Sequence, residues 1–345
     1  MARKTFKKVI TTSEKIENIE ESNKKLVDRF LRYMAPRSSE GTIKVYKSNF
    51  NIFFCWNLEY NENKPFEKIK KIELQDFFLF CSEELKYSPN RYAQMHSSLS
   101  SLSNYIENQL DEIDRYADFR NIVKKIEKLP KETVRKKTIL SVETVDKLMK
   151  DLDKQGRLQE SVFIALAISS GARISELFRI TLDLLDENET AFDDLFLVTK
   201  EPIKTKGRGK NGKQLYKYII KALFLPWLKR WLPVRAKILK DNNVEEHNCL
   251  FIRQDGMPAT QATVRGWIKR WEKMTGLDIY PHSFRHYFVT YLSKVGLEAE
   301  LIQSIVGWSS GDMVAIYNDL RIDEREWKGL GKLANALKTS KNNRK

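Results

Sequence analysis

The stretch Pro281-His-Ser-Phe-Arg-His-Tyr-Phe-Val-Thr-Tyr-Leu292 combines an apolar helical pattern with a spaced pair of nitrogen-bearing side chains. On a helix, Phe284 and Phe288 share one face, whereas His282 and Arg285 share the other flank. An imidazole and a guanidinium on one flank can hold a single phosphate, because the guanidinium offers a bidentate fork of donors. By itself the pattern is weak, since the same spacing also occurs in purely structural helices.

A second motif, Ser169-Ser-Gly-Ala-Arg-Ile-Ser-Glu-Leu177, lies upstream and follows an apolar run. Gly171 can end the preceding helix in a left-handed conformation. Arg173 would then begin the next helix, where unpaired backbone N–H groups and the helix dipole favour an anion. Glu176 suits a structural partner better than a catalyst. Alone, an arginine at a helix start is more often an ordinary surface residue.

A third motif lies downstream, in Ile302-Gln-Ser-Ile-Val-Gly-Trp-Ser-Ser310 and Ile316-Tyr-Asn-Asp-Leu320. Gly307 is expected to end one helix, and Trp308 to begin a short loop. Tyr317 would lie on the following helix, which Asp312 can cap. Neither aromatic residue is persuasive alone, because tryptophan is usually a core residue and the chain has 13 tyrosines.

Between the motif of residues 169–177 and the motif of residues 281–292, the pattern changes from helical to strand-like. Residues 195–203 and 213–220 flank a polar tip, Gly207-Arg-Gly-Lys-Asn-Gly212, and its Asn-Gly pair favours a tight turn. We therefore predict a basic hairpin. Helices are expected before it, up to Leu177, and after it, from Leu225 to the end of the chain.

Taken together, the motifs resemble those of the tyrosine recombinases, which include phage integrases, Xer-type and Cre-like enzymes. Gly-Ala-Arg-Ile-Ser-Glu-Leu is similar to the first arginine box of the family, and Pro-His-Ser-Phe-Arg-His is similar to the second. Gly-Trp-Ser-Ser with the later Ile-Tyr is similar to the third box and the nucleophile. The resemblance covers residues 138–320. One motif alone could occur by chance, but all of them in this order and at these intervals are specific for the family.

The resemblance implies a site-specific DNA recombinase that cuts and rejoins strands through a 3′-phosphotyrosyl bond. The catalytic residues that it implies are Arg173, Lys206, His282, Arg285, Trp308 and Tyr317. It further implies a homotetramer bound to a double-stranded DNA recombination site, acting through a Holliday junction and requiring no metal or cofactor. Free in solution the protein is expected to be a monomer or weak oligomer, and accessory DNA-bending factors are further candidate partners.

Two features depart from the commonest family pattern. The third box usually has histidine where this chain has Trp308, which can donate one hydrogen bond to a phosphate but cannot transfer a proton. The hairpin is also longer than usual, so spacing does not fix the catalytic lysine. Lys206, directly before the tip, is the preferred candidate, and Lys204 and Lys210 remain open.

The fold class expected is mainly α with a small antiparallel β-sheet. We predict a basic flexible arm (1–20), a helical core-binding, SAM-like domain (21–127), a basic linker (128–138) and a mixed α/β catalytic domain with a C-terminal oligomerisation helix (139–345). In the N-terminal domain, a helix opening at Ser88-Pro89 presents Arg91 and Gln94. These side chains suit DNA base edges, although an ordinary solvated helix face would look the same.

Charge and composition agree with a nucleic-acid partner. The chain has 61 Lys and Arg against 46 Asp and Glu, a net charge of +15 that attracts polyanions. A basic protein with no such partner is the alternative on charge alone. Three dispersed cysteines favour a reducing compartment, and no apolar stretch is long enough to span a membrane. We expect a cytoplasmic, nucleoid-associated protein.

Two rival functions remain at this stage. The chain could be a DNA-binding regulator that has the recombinase fold without its chemistry, because fold alone does not establish activity. It could also be a type IB topoisomerase, which shares the nucleophile but acts without sequence preference. The presence of every motif residue, Tyr317 included, argues against the regulator.

Overall fold

The computed structural model describes residues 10–130, 138, 140–207 and 211–308. The chain divides near residue 136 into two compact units. Helices dominate both, and the C-terminal unit also contains two small antiparallel sheets. The predicted fold class is confirmed.

The N-terminal unit is a helical bundle with an aromatic core. Its helices are α1 (Ser13–Glu17), α2 (Glu21–Met34), α3 (Glu40–Tyr60), α4 (Lys71–Glu83) and α5 (Pro89–Gln109). The aromatic side chains of these helices lie inward: Phe53 of α3 is fully buried, and its ring packs edge-on against Phe77 of α4 at 4.9 Å between centroids. Ser88 caps α5 as predicted, accepting a hydrogen bond from the backbone N–H of Arg91.

Residues 10–20 differ from the flexible arm that the sequence predicts. Thr12 caps the short helix α1, and α1 packs on α3. Ile10 and Ile19 are buried in the aromatic core. The basic residues at the start of the chain dominate its sequence pattern there, but burial of these isoleucines orders the segment that follows. Residues 1–9 and most of the predicted linker lie outside the described residues.

The C-terminal unit is built around one helix that is buried on all sides. Its helices are α6 (Val142–Lys154), α7 (Leu158–Ser170), α8 (Ile174–Leu177), α9 (Lys221–Asp241), α10 (Gln261–Thr275), α11 (Ser283–Lys294) and α12 (Ala299–Val306). Every residue of α7 from Glu160 to Ser170 is buried. Helices α6, α9 and α11 surround α7, so its C-terminal end is held at a fixed place.

The predicted hairpin forms, but as two short ladders rather than one. The strands are β1 (Thr190–Ala191), β2 (Phe196–Val198), β3 (Ile203–Thr205), β4 (Lys213–Leu215) and β5 (Tyr218–Ile220). Leu197 pairs with Ile219, and beyond the break Ile203 pairs with Leu215. Pro202, which has no N–H for a ladder, lies at the break. Strand β1 adds an edge to the first ladder, and the sequence pattern does not predict it.

Candidate active site

The motif of residues 169–177 lies at the C-terminal end of α7. Gly171 adopts a left-handed conformation, with φ of +57°, as predicted. It also lies against α11: a Cβ atom added there would be only 2.3 Å from Cδ1 of Phe288. Gly171 therefore does two things that other residues cannot do without strain, because it ends α7 and allows α11 to approach closely.

Arg173 directly precedes α8 and is its N-cap residue. Its backbone N–H donates to Oε2 of Glu176 at 3.1 Å, and its guanidinium donates to Oε1 at 2.7 Å. The anion at the start of this helix is thus the side-chain carboxylate of Glu176. The side chain of Arg173 stays 22% exposed, so it also reaches the surface of the unit.

Glu176 is fully buried and is held by a second cation, Lys217. The Lys217 ammonium lies 2.8 Å from Oε2 of Glu176 and is itself only 2% exposed. Burial alone would raise the pKa of Glu176. The charge of Lys217, with hydrogen bonds from Lys217 and Arg173, instead lowers that pKa to about 2. The predicted structural role for Glu176 matches this geometry.

Arg285 is buried, although the sequence pattern placed it on the flank opposite the apolar face. Its guanidinium donates to the carbonyl of Gly171 at 2.8 Å and to the carbonyl of Val306 at 3.2 Å. Its Cζ also lies 5.1 Å from the ring centroid of Trp308. Arg285 therefore links the ends of α7 and α12 to α11. A guanidinium with several N–H groups is suited to such a junction.

Trp308 directly follows the glycine that ends α12. Gly307 ends α12, as predicted, and it has a left-handed conformation; an added Cβ would lie 2.6 Å from Cδ1 of Leu215 on β4. The Trp308 ring is buried in an apolar cluster that includes Phe288 and Ile305. The ring also packs on the guanidinium of Arg285, and the sequence does not reveal this contact. Donation of its indole N–H to a phosphate stays a prediction.

His282 is the exposed residue immediately before α11, one turn before Arg285. Lys204 lies on β3 and Lys206 directly after it, and both side chains are exposed. Lys210 and Tyr317 lie outside the described residues. The structure thus brings together Arg173, Arg285 and Trp308.

The cluster has a net positive charge. Arg173, Lys217 and Arg285 contribute three cations, and Glu176 is their buried carboxylate. Burial lowers the pKa of Lys217, as do the charges of Arg285 and Arg173, while Glu176 opposes that effect. Such an arrangement favours binding of an additional anion.

Sequence reasoning missed Lys217, yet a signal for it exists. Residues two apart in a strand face the same side, and Lys217 is two residues before Ile219, which is fully buried. A lysine at an inward strand position must be paired with an acid, because an unpaired buried charge is too costly. The one buried acid in the neighbouring motif is Glu176.

In the N-terminal unit, Arg91 and Gln94 interact with each other. The Arg91 guanidinium donates to Oε1 of Gln94 and to Oδ1 of the buried Asn49, both at 2.6 Å. It also lies over the ring of Tyr87. The pair is held in one orientation, with Gln94 exposed. Its role in binding DNA remains a prediction.

Across the described ranges, no helix has both the length and the apolar content needed to cross a membrane. In the same ranges, no group of three or more His, Cys, Asp and Glu side chains could hold a metal ion.

Comparison with known proteins places these features in a family. The model of the Phage integrase family matches residues 138–324. The SPbeta prophage-derived recombinase-like protein YomM of Bacillus subtilis (strain 168) is 28% identical over 320 residues, covering 90% of this chain and 91% of that protein. A XerH site-specific recombinase bound to palindromic difH substrate, in a post-cleavage complex, has 19% identity and a TM-score of 0.63, covering 90% and 98% of the two chains. A lambda integrase tetramer bound to a Holliday junction gives 17% identity and a TM-score of 0.57, covering 85% and 76%.

Proposed function

Because the chain belongs to the phage integrase family, we propose that it is a tyrosine-type site-specific recombinase that uses Tyr317 as its nucleophile. The observation that supports this most directly is the convergence of Arg173 and Arg285 at the end of α7. Two guanidiniums fixed at one place, in a cluster with excess positive charge, suit a backbone phosphate of DNA.

In the proposed reaction, Arg173 and Arg285 bind the non-bridging oxygens of the scissile phosphate. Negative charge grows on those oxygens in the transition state, and each fixed donor can contribute about a hundredfold to a thousandfold in rate. The Tyr317 oxygen forms a bond to phosphorus, and the 5′ oxygen departs. Since the free pKa of tyrosine is about 10, nearby cations are needed to favour the phenolate.

The departing 5′ oxygen needs a proton, and Lys206 is the preferred donor, with Lys204 and Lys210 as alternatives. His282, exposed at the start of α11, would hydrogen-bond the phosphate and assist with the proton of the nucleophile. Trp308 cannot transfer a proton, so its contribution is to hold Arg285 and to donate one hydrogen bond. The 3′-phosphotyrosyl bond retains the bond energy, and a second 5′-hydroxyl can therefore rejoin the strand.

Assembly and DNA binding extend this proposal. A tetramer acting through a Holliday junction is supported by fold similarity to the lambda integrase tetramer described above. The net charge of +15 favours contacts with DNA phosphates. Arg91 and Gln94, held in one orientation, are proposed to contact base edges from the N-terminal unit.

The test uses nicked suicide duplexes tiled across the DNA that flanks the gene, with unrelated duplexes of the same length as a reference. We expect wild type to form a covalent adduct with one site, and Tyr317→Phe to form none. Tyr60→Phe is the matched control, because Tyr60 is an exposed tyrosine of the N-terminal unit, and it should form the adduct normally.

The three functions separate in this assay. Adduct confined to one site supports the recombinase. Adduct with every duplex supports a type IB topoisomerase. Absence of adduct from wild type on all duplexes overturns the enzyme and supports a DNA-binding regulator.

A further inference from the structure

The Lys217–Glu176 ion pair is, among the described residues, the most deeply buried charge pair of the C-terminal unit that the proposed reaction leaves unused. Lys217 is 2% exposed and Glu176 is fully buried. Removing both charges from water carries a large desolvation cost, and an apolar pair of similar volume would avoid it. A role in the chemistry would account for the retention of both charges.

We propose that Lys217 is a positioning residue for the cleavage reaction: it balances the charge of Glu176, so that Glu176 orients Arg173 without cancelling its positive charge. This inference rests on the proposed function, because it assigns Arg173 to the scissile phosphate.

The contacts divide the two carboxylate oxygens of Glu176 between two cations. Oε2 accepts from the Lys217 ammonium at 2.8 Å and from the backbone N–H of Arg173 at 3.1 Å. Oε1 accepts from the Arg173 guanidinium at 2.7 Å. Glu176 thereby fixes both the backbone and the side chain of Arg173. A second cation on Glu176 is needed so that this carboxylate competes only weakly with the DNA phosphate for the Arg173 guanidinium.

The backbone of Lys217 is itself fixed at the end of the first hairpin ladder. Its N–H donates to Oγ1 of Thr199, and its carbonyl accepts from the N–H of Thr199, both at 3.1 Å. Thr199 is buried. The ammonium is therefore delivered to Glu176 by a rigid strand end rather than by a mobile loop.

Charge balance explains why one cation is insufficient. If Lys217 were neutral, Glu176 and Arg173 would form a one-to-one pair, and the guanidinium would be drawn onto the carboxylate. With Lys217 present, the group has a net charge of +1, and Arg285 adds a further positive charge. The low pKa of Glu176 agrees with a carboxylate that is held by two cations.

The same geometry argues against Lys217 as the acid that protonates the departing oxygen. Its ammonium is buried and bonded to Glu176, whereas that acid must reach a substrate at the surface. Lys217 therefore acts through Arg173, and the donor remains a hairpin lysine.

The test compares Lys217→Met and the double variant Lys217→Met/Glu176→Gln with wild type, on the suicide duplex that wild type cleaves. Single-turnover rates at saturating protein, DNA dissociation constants and melting temperatures are measured for each. We expect Lys217→Met to cleave about tenfold to a hundredfold more slowly, with the dissociation constant changed less than about threefold. The double variant should recover most of that rate, because the one oxygen of the amide can still accept from the Arg173 guanidinium and the amide has no charge to cancel.

Each other outcome overturns the inference. A normal cleavage rate in folded Lys217→Met means that the pair is only structural. A double variant as slow as Lys217→Met means that balancing the charge of Glu176 is not what Lys217 contributes to cleavage. If Lys217→Met does not fold, the double variant, which has no unpaired buried charge, must cleave within about tenfold of wild type. Failure of wild type to form any adduct would instead reject the proposed function.

Discussion

Replacing Gly171 by alanine tests whether the site depends on the close approach of α7 and α11. The backbone at Gly171 has φ of +57°, and this conformation costs a residue with a Cβ roughly 1–2 kcal/mol. The new Cβ would also lie 2.3 Å from Cδ1 of the fully buried Phe288. Overpacking of this kind costs about 1–3 kcal/mol. The expected total for Gly171→Ala is therefore about 2–5 kcal/mol.

Gly156→Ala is the matched control within the same unit. Gly156 has φ of +69°, but an added Cβ there would have no heavy atom within 4 Å. This variant should show only the backbone cost, so the difference between the two alanines isolates the contact with Phe288. At about 3 °C per kcal/mol for a unit of this size, Gly171→Ala should melt roughly 3–9 °C below Gly156→Ala.

The rate of covalent adduct formation should depend on the same contact between residue 171 and Phe288. The carbonyl of Gly171 accepts from the Arg285 guanidinium at 2.8 Å, so a shift of α7 away from α11 displaces Arg285. Below its melting temperature, Gly171→Ala should form the covalent adduct at least tenfold more slowly than Gly156→Ala. Adding Phe288→Leu should offset part of the loss, with a coupling of about 1 kcal/mol or more. Equal melting of the two alanine variants, or strict additivity with Phe288→Leu, would refute the reasoning.

Variants at three further positions probe the two units. Glu176→Gln should lower stability by about 3–5 kcal/mol at neutral pH by leaving Lys217 unpaired. Because the pKa of Glu176 is lowered from 4.5 to about 2, its contribution is complete above pH 4.5 and lost as the pH falls towards 2; the difference in melting temperature between wild type and Glu176→Gln should shrink over that window. Trp308→Phe should cleave within about tenfold of wild type and Trp308→Ala far more slowly, because an aromatic face suffices to hold Arg285; equal losses would favour the indole N–H instead. Arg91→Ala should weaken binding to the cognate site by about 1–3 kcal/mol in competition gel shifts, and it should weaken binding to unrelated DNA less. Equal weakening of both would argue against base contacts.

Local patterns were sufficient to predict most of the fold. Gly171 and Gly307 end their helices, as their positions after apolar runs predict, and both have left-handed conformations. The segments predicted as strands on the two sides of the polar tip pair with each other. The predictions that differed depend on distant contacts. Burial of Ile10 and Ile19 against α3 orders a segment that its own composition marks as a loose arm.

The chemistry of the site was less accessible from sequence, because its decisive contacts join residues far apart in the chain. The motifs identify Arg173 and Arg285, but nothing in their spacing shows that the second is buried against two backbone carbonyls. Lys217 lies 41 positions from Glu176, and no local pattern links them. Helical periodicity shows which face of a helix is apolar. A single charged residue buried in the core leaves that periodicity unchanged, so the pattern does not reveal it.

The buried position of Arg285 has a consequence for how the site is organised. A guanidinium that binds phosphate only from a solvated surface must lose side-chain freedom when the ligand arrives. Arg285 has already lost that freedom, because two carbonyls and the Trp308 ring hold it. Arg173 is likewise held by Glu176, which Lys217 balances. The cost of ordering both arginines is thus met during folding, and a phosphate between them would gain their full charge without reorganising the site.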